Sequence, residues 1–333
     1  MYRWFVSLSI AWTVAACGAK SGPPLAPLPP DNPIVAPAPA DAKPADPAPE
    51  KRQVPTGPLE VKIAAKPTTV KLVRPGKGKR SALKLSAKPG TKQQVELALD
   101  FALTQSAGGQ SQSDVVPTVV LVGDAVANTI DKDGSAEYTL TITKTDARPV
   151  EGSKVPIDKF RELLGSTVGL TFAGTVRSTG ATGEVTMKLA TQGEASGQVL
   201  ELVRLTLPSW PALPSEPIAP GARWQATTAM KLADRLDVTQ VVDYELVSYA
   251  AHVWTIKGTT KITGADQEMQ GGKITKIAGT GTTEFTLTDG ALYPSQNTVV
   301  EATFTASEPD AQPGATPATL DFDIKISGVV TAK

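Results

Sequence analysis

Apolar and polar positions alternate along most of the chain. In QVELALDFAL, Val95, Leu97, Leu99, Phe101 and Leu103 fall on one face of an extended strand, and Glu96, Asp100 and Thr104 on the other. Tyr138, Leu140 and Ile142 alternate with Glu137, Thr139, Thr141 and Thr143. Val168, Leu170, Phe172, Gly174 and Val176 form a third series, and Trp254, Ile256, Gly258 and Ile262 a fourth. Leu320, Phe322, Ile324 and Ile326 face away from Asp321, Asp323 and Lys325. One covered face and one wet face is the habit of antiparallel sheets. Threonine recurs on the wet faces, where its branched side chain suits a strand. Turn signals punctuate the series: KPGT at Lys88, DKDG at Asp131, STGATG at Ser178 and TDG at Thr288, with RPGKGKR at Arg74 read as a hairpin turn. The pattern predicts roughly twelve strands, several of them long, and a large twisted sheet tends to curl or close. The fold class expected is mainly β: a long antiparallel meander forming a curved sheet or incomplete barrel, with two short helices.

The first helix is VPIDKFRELLGS, with proline in its first turn, a stop at Gly165, and Ile157, Phe160 and Leu164 as its buried stripe. The second is GQVLELVRLTL from Gly197. Val199, Leu200, Val203 and Leu207 fit a helix there, Val199, Val203, Leu205 and Leu207 fit a strand, and the helix is preferred.

The N-terminus breaks the β pattern. Arg3 is followed by the uncharged run WFVSLSIAWT, about the length of a signal-peptide core and short of the roughly 20 residues that span a bilayer. Val14-Ala15-Ala16 then precede Cys17, the only cysteine. This stretch resembles the lipobox of bacterial lipoproteins. The resemblance implies cleavage between Ala16 and Cys17, and acylation of Cys17 by a diacylglycerol and a fatty acid such as palmitate. Each buried CH₂ contributes about 0.8 kcal/mol, and stable anchoring needs more than one chain. Gly18 is not the aspartate that holds such proteins in an inner membrane, so the resemblance favours the outer membrane, facing the periplasm or the cell surface.

Residues 17–58 carry 13 of the 28 prolines. Proline fixes φ and lacks a donor, so neither helix nor sheet runs through such a segment. It reads as a disordered Pro/Ala-rich linker, semi-extended, reaching on the order of 100 Å. The domain plan is a signal peptide over 1–16, the linker over 17–58, and a β-rich domain over 59–333. KPGTKQQVELAL and APGARWQATTAM each place Pro-Gly before a basic residue and a long strand, an echo that fits convergent turn chemistry or, alternatively, two related halves with a break near 195.

Lysine plus arginine equals aspartate plus glutamate, 33 each, which argues against a nucleic-acid partner. A lone cysteine forms no disulfide within the chain, so stability rests on the core. His252 is the only histidine, and it reads as an exposed or hydrogen-bonded strand-edge residue. No G-x-S-x-G elbow, zinc cluster or phosphate loop accompanies it. The chain is therefore read as a non-enzyme without cofactor or metal. Asp131, Asp133 and Glu137 in DKDGSAE resemble part of a calcium loop and read instead as an Asp-Gly turn. Trp224 reads as a core plug closing one end of the sheet, and Trp210, among prolines, as an exposed loop aromatic.

LPSEPIAPGARW, from Leu213 to Trp224, follows the two expected helices and leads into long strands. In this it resembles a family of uncharacterised β-rich bacterial lipoproteins that share an LP-x-x-P-[VI]-x-x-G-x-x-W element. The resemblance covers roughly Val155 to Tyr293. It implies an envelope lipoprotein and supplies no activity. The partners expected are the membrane, through Cys17, and a lipid or an envelope protein. The leading expectation is a non-enzymatic binding module for a lipid or hydrophobic ligand. The alternative is an assembly role, docking on another outer-membrane protein. The state of the sheet's inner face, packed shut or open and apolar, separates them.

Overall fold

The computed structural model describes residues 57–192, 197, 200, 210–232, 236–269, 272–307 and 318–333. The expected signal peptide, Ala16, Cys17 and nearly all of the expected linker lie outside the described residues. So does the second expected helix, except for Gly197 and the buried Leu200.

The described chain is one antiparallel sheet with one helix. In order come β1 (Leu59–Ile63), β2 (Thr68–Arg74), β3 (Lys92–Ala107), β4 (Gln110–Val115), β5 (Thr118–Ile130), β6 (Ala136–Arg148) and α1 (Ile157–Gly165). There follow β7 (Thr171–Val176), β8 (Thr182–Leu189), β9 (Arg223–Leu232), β10 (Leu236–Ala250), β11 (Val253–Thr263) and β12 (Gln267–Met269). The last are β13 (Gly272–Thr288), β14 (Ser295–Ser307) and β15 (Thr319–Ala332). Fifteen strands exceed the expected twelve because β1, β2, β4 and β12 are short pieces beside the long ones.

Two meanders meet edge to edge. β3, β5, β6, β7 and β8 form the first, β9, β10, β11, β13, β14 and β15 the second, and β15 pairs with β3. β1 lies on the far edge of β8, and β2 on the far edge of β9. These two strands sit at opposite ends of the strand order, yet only residues 64–67 join them. Five Cα steps span at most about 18 Å. The sheet must therefore curl until its ends nearly meet, an open sheet on the way to a barrel.

The curl has a filling. Met187 and Leu189 of β8 and Trp224 and Ala226 of β9 belong to one core with Leu97, Leu99, Leu140, Phe172, Ile256 and Phe285. Loop residues complete it: Leu83, Leu85, Trp210, Leu213, Ile218 and Ala222 plug one end of the curl. α1 adds Phe160 and Leu164, and Arg161 ties the helix to β6 through Asp146 at 2.9 Å and the Ala147 carbonyl at 3.0 Å. Fully burying one such aliphatic or aromatic side chain contributes roughly 1.5–3 kcal/mol.

RPGKGKR does not make a hairpin. β2 and β3 are not neighbours, and the segment instead turns at Gly76 (φ 80°) and bridges Ser81 to Ile218. A side chain at Gly76 would run into the Ala219 carbonyl, so the plug is packed against a glycine. Val168 also departs from its series. It lies in the turn after α1, exposed, and the strand begins at Thr171.

Candidate functional site

The inner face of the second meander can be read as a grid of neighbouring side chains. Nearest the plug, Leu246, Ile256, Phe285, Gln296, Val330 and Leu97 stand in one row across β10, β11, β13, β14, β15 and β3. The next row is Tyr244, Gly258, Thr283, Thr298, Gly328 and Leu99. Then come Val242, Thr260, Gly281, Val300, Ile326 and Phe101, followed by Gln240, Ile262, Gly279, Ala302, Ile324 and Leu103. None of these side chains is charged.

Burial changes along the grid. At the plug, Leu97, Ile256 and Phe285 are 0–1% exposed. Beyond it a second cluster holds Phe101, Leu103, Val238, Ile262, Phe304 and Phe322, each 4–8% exposed. Phe304 and Phe322 stack at 4.7 Å there. Val300, Ile324 and Ile326, with Ala302, Met230, Met269 and Leu320, are only half-buried. Strands, rather than a plug, line this end among the described residues. The result is an apolar strip about 20 Å long, from Val300 to Ala306 at some 3.3 Å per residue, half-buried at Val300 and Ala302 and buried at Phe304 and Ala306.

Small and polar residues separate the strip from the plugged core. Thr283 Oγ1 and Thr298 Oγ1 share a hydrogen bond of 2.7 Å, and Gln296 Nε2 donates to Thr298 Oγ1 at 2.5 Å. Gln296 Oε1 is buried without a hydrogen-bond partner among the described residues. Glycines stand where the neighbouring backbone comes too close for a Cβ. A Cβ at Gly281 would lie 2.6 Å from the Val299 carbonyl, and one at Gly279 would lie 2.8 Å from that of Glu301.

Trp210 is buried at 5%, against the expectation of an exposed loop aromatic. Its Nε1 donates to the Leu292 carbonyl at 2.7 Å, and its ring meets Tyr138 at 5.1 Å and Tyr293 at 4.6 Å. The flanking prolines shape the loop, and the loop folds back into the core. Trp224 is a core residue as expected, 1% exposed, with Nε1 donating to the Ala212 carbonyl at 2.7 Å. Burial raises the Tyr138 phenol to about 12, partly offset by a hydrogen bond with Tyr293. Burial also raises Tyr293 and Tyr244.

His252 sits not along a strand edge but in the two-residue turn between β10 and β11. Ala251 and His252 both have positive φ, 50° and 64°, where asparagine and glycine are the usual residues. Asp289 braces the turn. Its carboxylate accepts from Tyr249 at 2.8 Å and Trp254 at 2.9 Å and lies 3.2 Å from His252 Nδ1, and its N–H donates to the His252 carbonyl. Burial alone would raise the Asp289 carboxyl, but hydrogen bonds from Trp254, Tyr249 and His252 outweigh it and hold it below the ordinary value. Asp133 is occupied locally by the Ser135 N–H and hydroxyl, and Glu137 by Thr129, so DKDGSAE forms a turn.

A cleft of about 520 Å³ opens beside Arg223, Asp243, Glu245 and Lys257. Its charges already pair with protein groups: Arg223 with Glu245 at 2.7 Å, Lys257 with Glu284 at 3.5 Å, and Gln225 with Asp243 at 3.0 Å. Among the described residues, no helix is long and apolar enough to cross a membrane. Compared with known protein-family models and with curated proteins, the chain matches none.

Proposed function

We propose that this chain is a lipid-anchored protein of the bacterial outer membrane whose folded domain is a non-enzymatic binding module. Cys17 carries the anchor, residues 17–58 form the tether, and the inner face beyond the plug takes a lipid or other hydrophobic ligand. The observation that supports this reading is the uncharged strip around Val300, Ala302, Ile324 and Ile326, left half-buried on the concave face of a curled sheet. The docking alternative expects a continuous exposed apolar patch. Among the described residues, the exposed large apolar side chains are scattered over β2, the α1–β7 turn, β10 and β15 as Val73, Val168, Val247, Tyr249 and Val329.

Two measurements test the two parts of this reading. Native mass spectrometry of gently purified protein should show an adduct that organic extraction removes. A protein that retains no adduct and binds no apolar fluorophore sinks the ligand reading. Cys17→Ser should abolish labelling by radioactive palmitate and move the protein out of the membrane fraction. Unchanged labelling and fractionation would overturn the anchor.

A further inference from the structure

The strip has a polar end. Gln296 is the one polar side chain in its row, between Phe285 and Val330 and flanked further out by Ile256 and Leu97. Its amide nitrogen is engaged by Thr298, which is in turn engaged by Thr283. Its carbonyl Oε1 is buried with no donor from the described residues. A buried acceptor left unpaired is costly, and native proteins rarely keep one without a use. Opposite Thr298, Gly328 places no side chain at all. Four residues along β14 from Gln296, about 13 Å at strand rise, the strip begins at Val300. It then runs past Ala302 to Phe304 and Ala306. From Thr298 to Ala306 is about 27 Å, longer than the roughly 15 Å that one leaflet's acyl chains span.

We propose that Gln296 Oε1 is the head-group acceptor of this strip, and that the ligand is an uncharged amphiphile whose head donates a hydrogen bond. A long-chain alcohol or the glycerol hydroxyl of a neutral acylglycerol has that chemistry. The class follows from three features. An acceptor calls for a donor. The inner grid holds no charged side chain, so a charged head entering it would lose its hydration without a counter-charge. In the file Gln296–Thr298–Thr283 both hydroxyl oxygens and the amide nitrogen already have a hydrogen-bond partner, and Oε1 is the acceptor left without one among the described residues. This assignment rests on the ligand reading above.

The experiment uses the full chain carrying Cys17→Ser, so that added lipid is the only lipid. N-phenyl-1-naphthylamine is bound, then displaced by oleyl alcohol, methyl oleate or oleate. Their chains match, but the alcohol donates, the ester only accepts, and oleate is charged. Oleyl alcohol should compete about tenfold better than methyl oleate, as one hydrogen bond to a buried acceptor implies. Oleate should compete worst. Gln296→Leu should erase the alcohol's advantage and leave methyl oleate binding at least as tight. The alcohol-to-ester ratio in the unsubstituted inner face needs no variant, so a Gln296→Leu chain that misfolds does not remove the test. If the fluorophore never binds, the ligand reading itself falls. If all three lipids compete equally, the strip binds chains and the head-group assignment falls alone. If Gln296→Leu keeps the tenfold preference, Gln296 is not the acceptor.

Discussion

Trp210 offers the sharpest check on the plugged curl. Two substitutions separate its hydrogen bond from its volume. Trp210→Phe keeps an aromatic ring beside Tyr138 and Tyr293 but removes the indole N–H that meets the Leu292 carbonyl at 2.7 Å. That carbonyl is then left short of a donor in a buried setting, which costs about 1–3 kcal/mol. Trp210→Ala removes the ring as well, opening a cavity between two tyrosines, and should cost about 3–5 kcal/mol in all. A domain of this kind has roughly 5–15 kcal/mol to lose. The assay is urea unfolding of the full chain followed by far-ultraviolet circular dichroism. The midpoint should fall in two steps, Phe then Ala, with the denaturant slope unchanged. Val329→Ala, on a side chain 45% exposed, should stay within about 0.5 kcal/mol. If Trp210→Ala costs less than about 1 kcal/mol, or a separate early transition appears, the 210–222 loop is not part of the cooperative core.

Two further predictions follow from the same interior. Burial lifts the Tyr138 phenol from 10.0 to about 12, so the protonated form is favoured in the folded state. Its contribution of about 3 kcal/mol is intact below pH 10 and lost as pH rises from 10 through 12, so thermal stability should fall across that window. Tyr138→Phe should lessen that fall, with buried Tyr293 and Tyr244 supplying the remainder, and a fall of unchanged size would refute the assignment to Tyr138. Separately, Gly281→Ala should cost about 1–3 kcal/mol by thermal melting, because the new Cβ would lie 2.6 Å from a β14 backbone oxygen that cannot swing aside. A melt that stays unshifted would mean the β13–β14 contact at Gly281 tolerates a side chain.

The strands were legible because alternation is local. Val95 to Leu103 and Leu320 to Ile326 lie on one face in the fold as in the sequence. α1 was legible for the same reason, with Phe160 and Leu164 buried and Gly165 its last residue. What escaped was set by distant partners. Trp210 lies among prolines, a loop by every local sign, and only Tyr138, Tyr293 and Leu292 make it core. The Ala251-His252 turn carries no Asn-Gly signal, and Asp289 of another hairpin braces it. Arg74 to Arg80 looked like a hairpin because Pro-Gly usually makes one, whereas β2 pairs with β9, some 150 residues away. Gln296 does carry a local signal: in SQNTVVEATF it is a polar residue on the parity of Val300, Ala302 and Phe304.

The two ends of the curl do different physical work. At the plug, loops, α1 and both meanders converge, and the side chains are sealed almost completely. Beyond the glycine rows the same strands continue with no plug among the described residues, and part of their inner face, at Val300, Ala302, Ile324 and Ile326, stays half-buried. A sheet needs its apolar face covered to be stable, and here part of that face is stabilised through the other end of the same long strands. β13 runs 17 residues and β3 runs 16, long enough to belong to both ends at once. Strand length thus lets one core hold the curl while the far face keeps apolar surface within reach of solvent. The closing strands fit this division. β1 and β2 both turn their half-buried faces onto the plugged core rather than the strip, so the seam of the curl is held where the packing is densest.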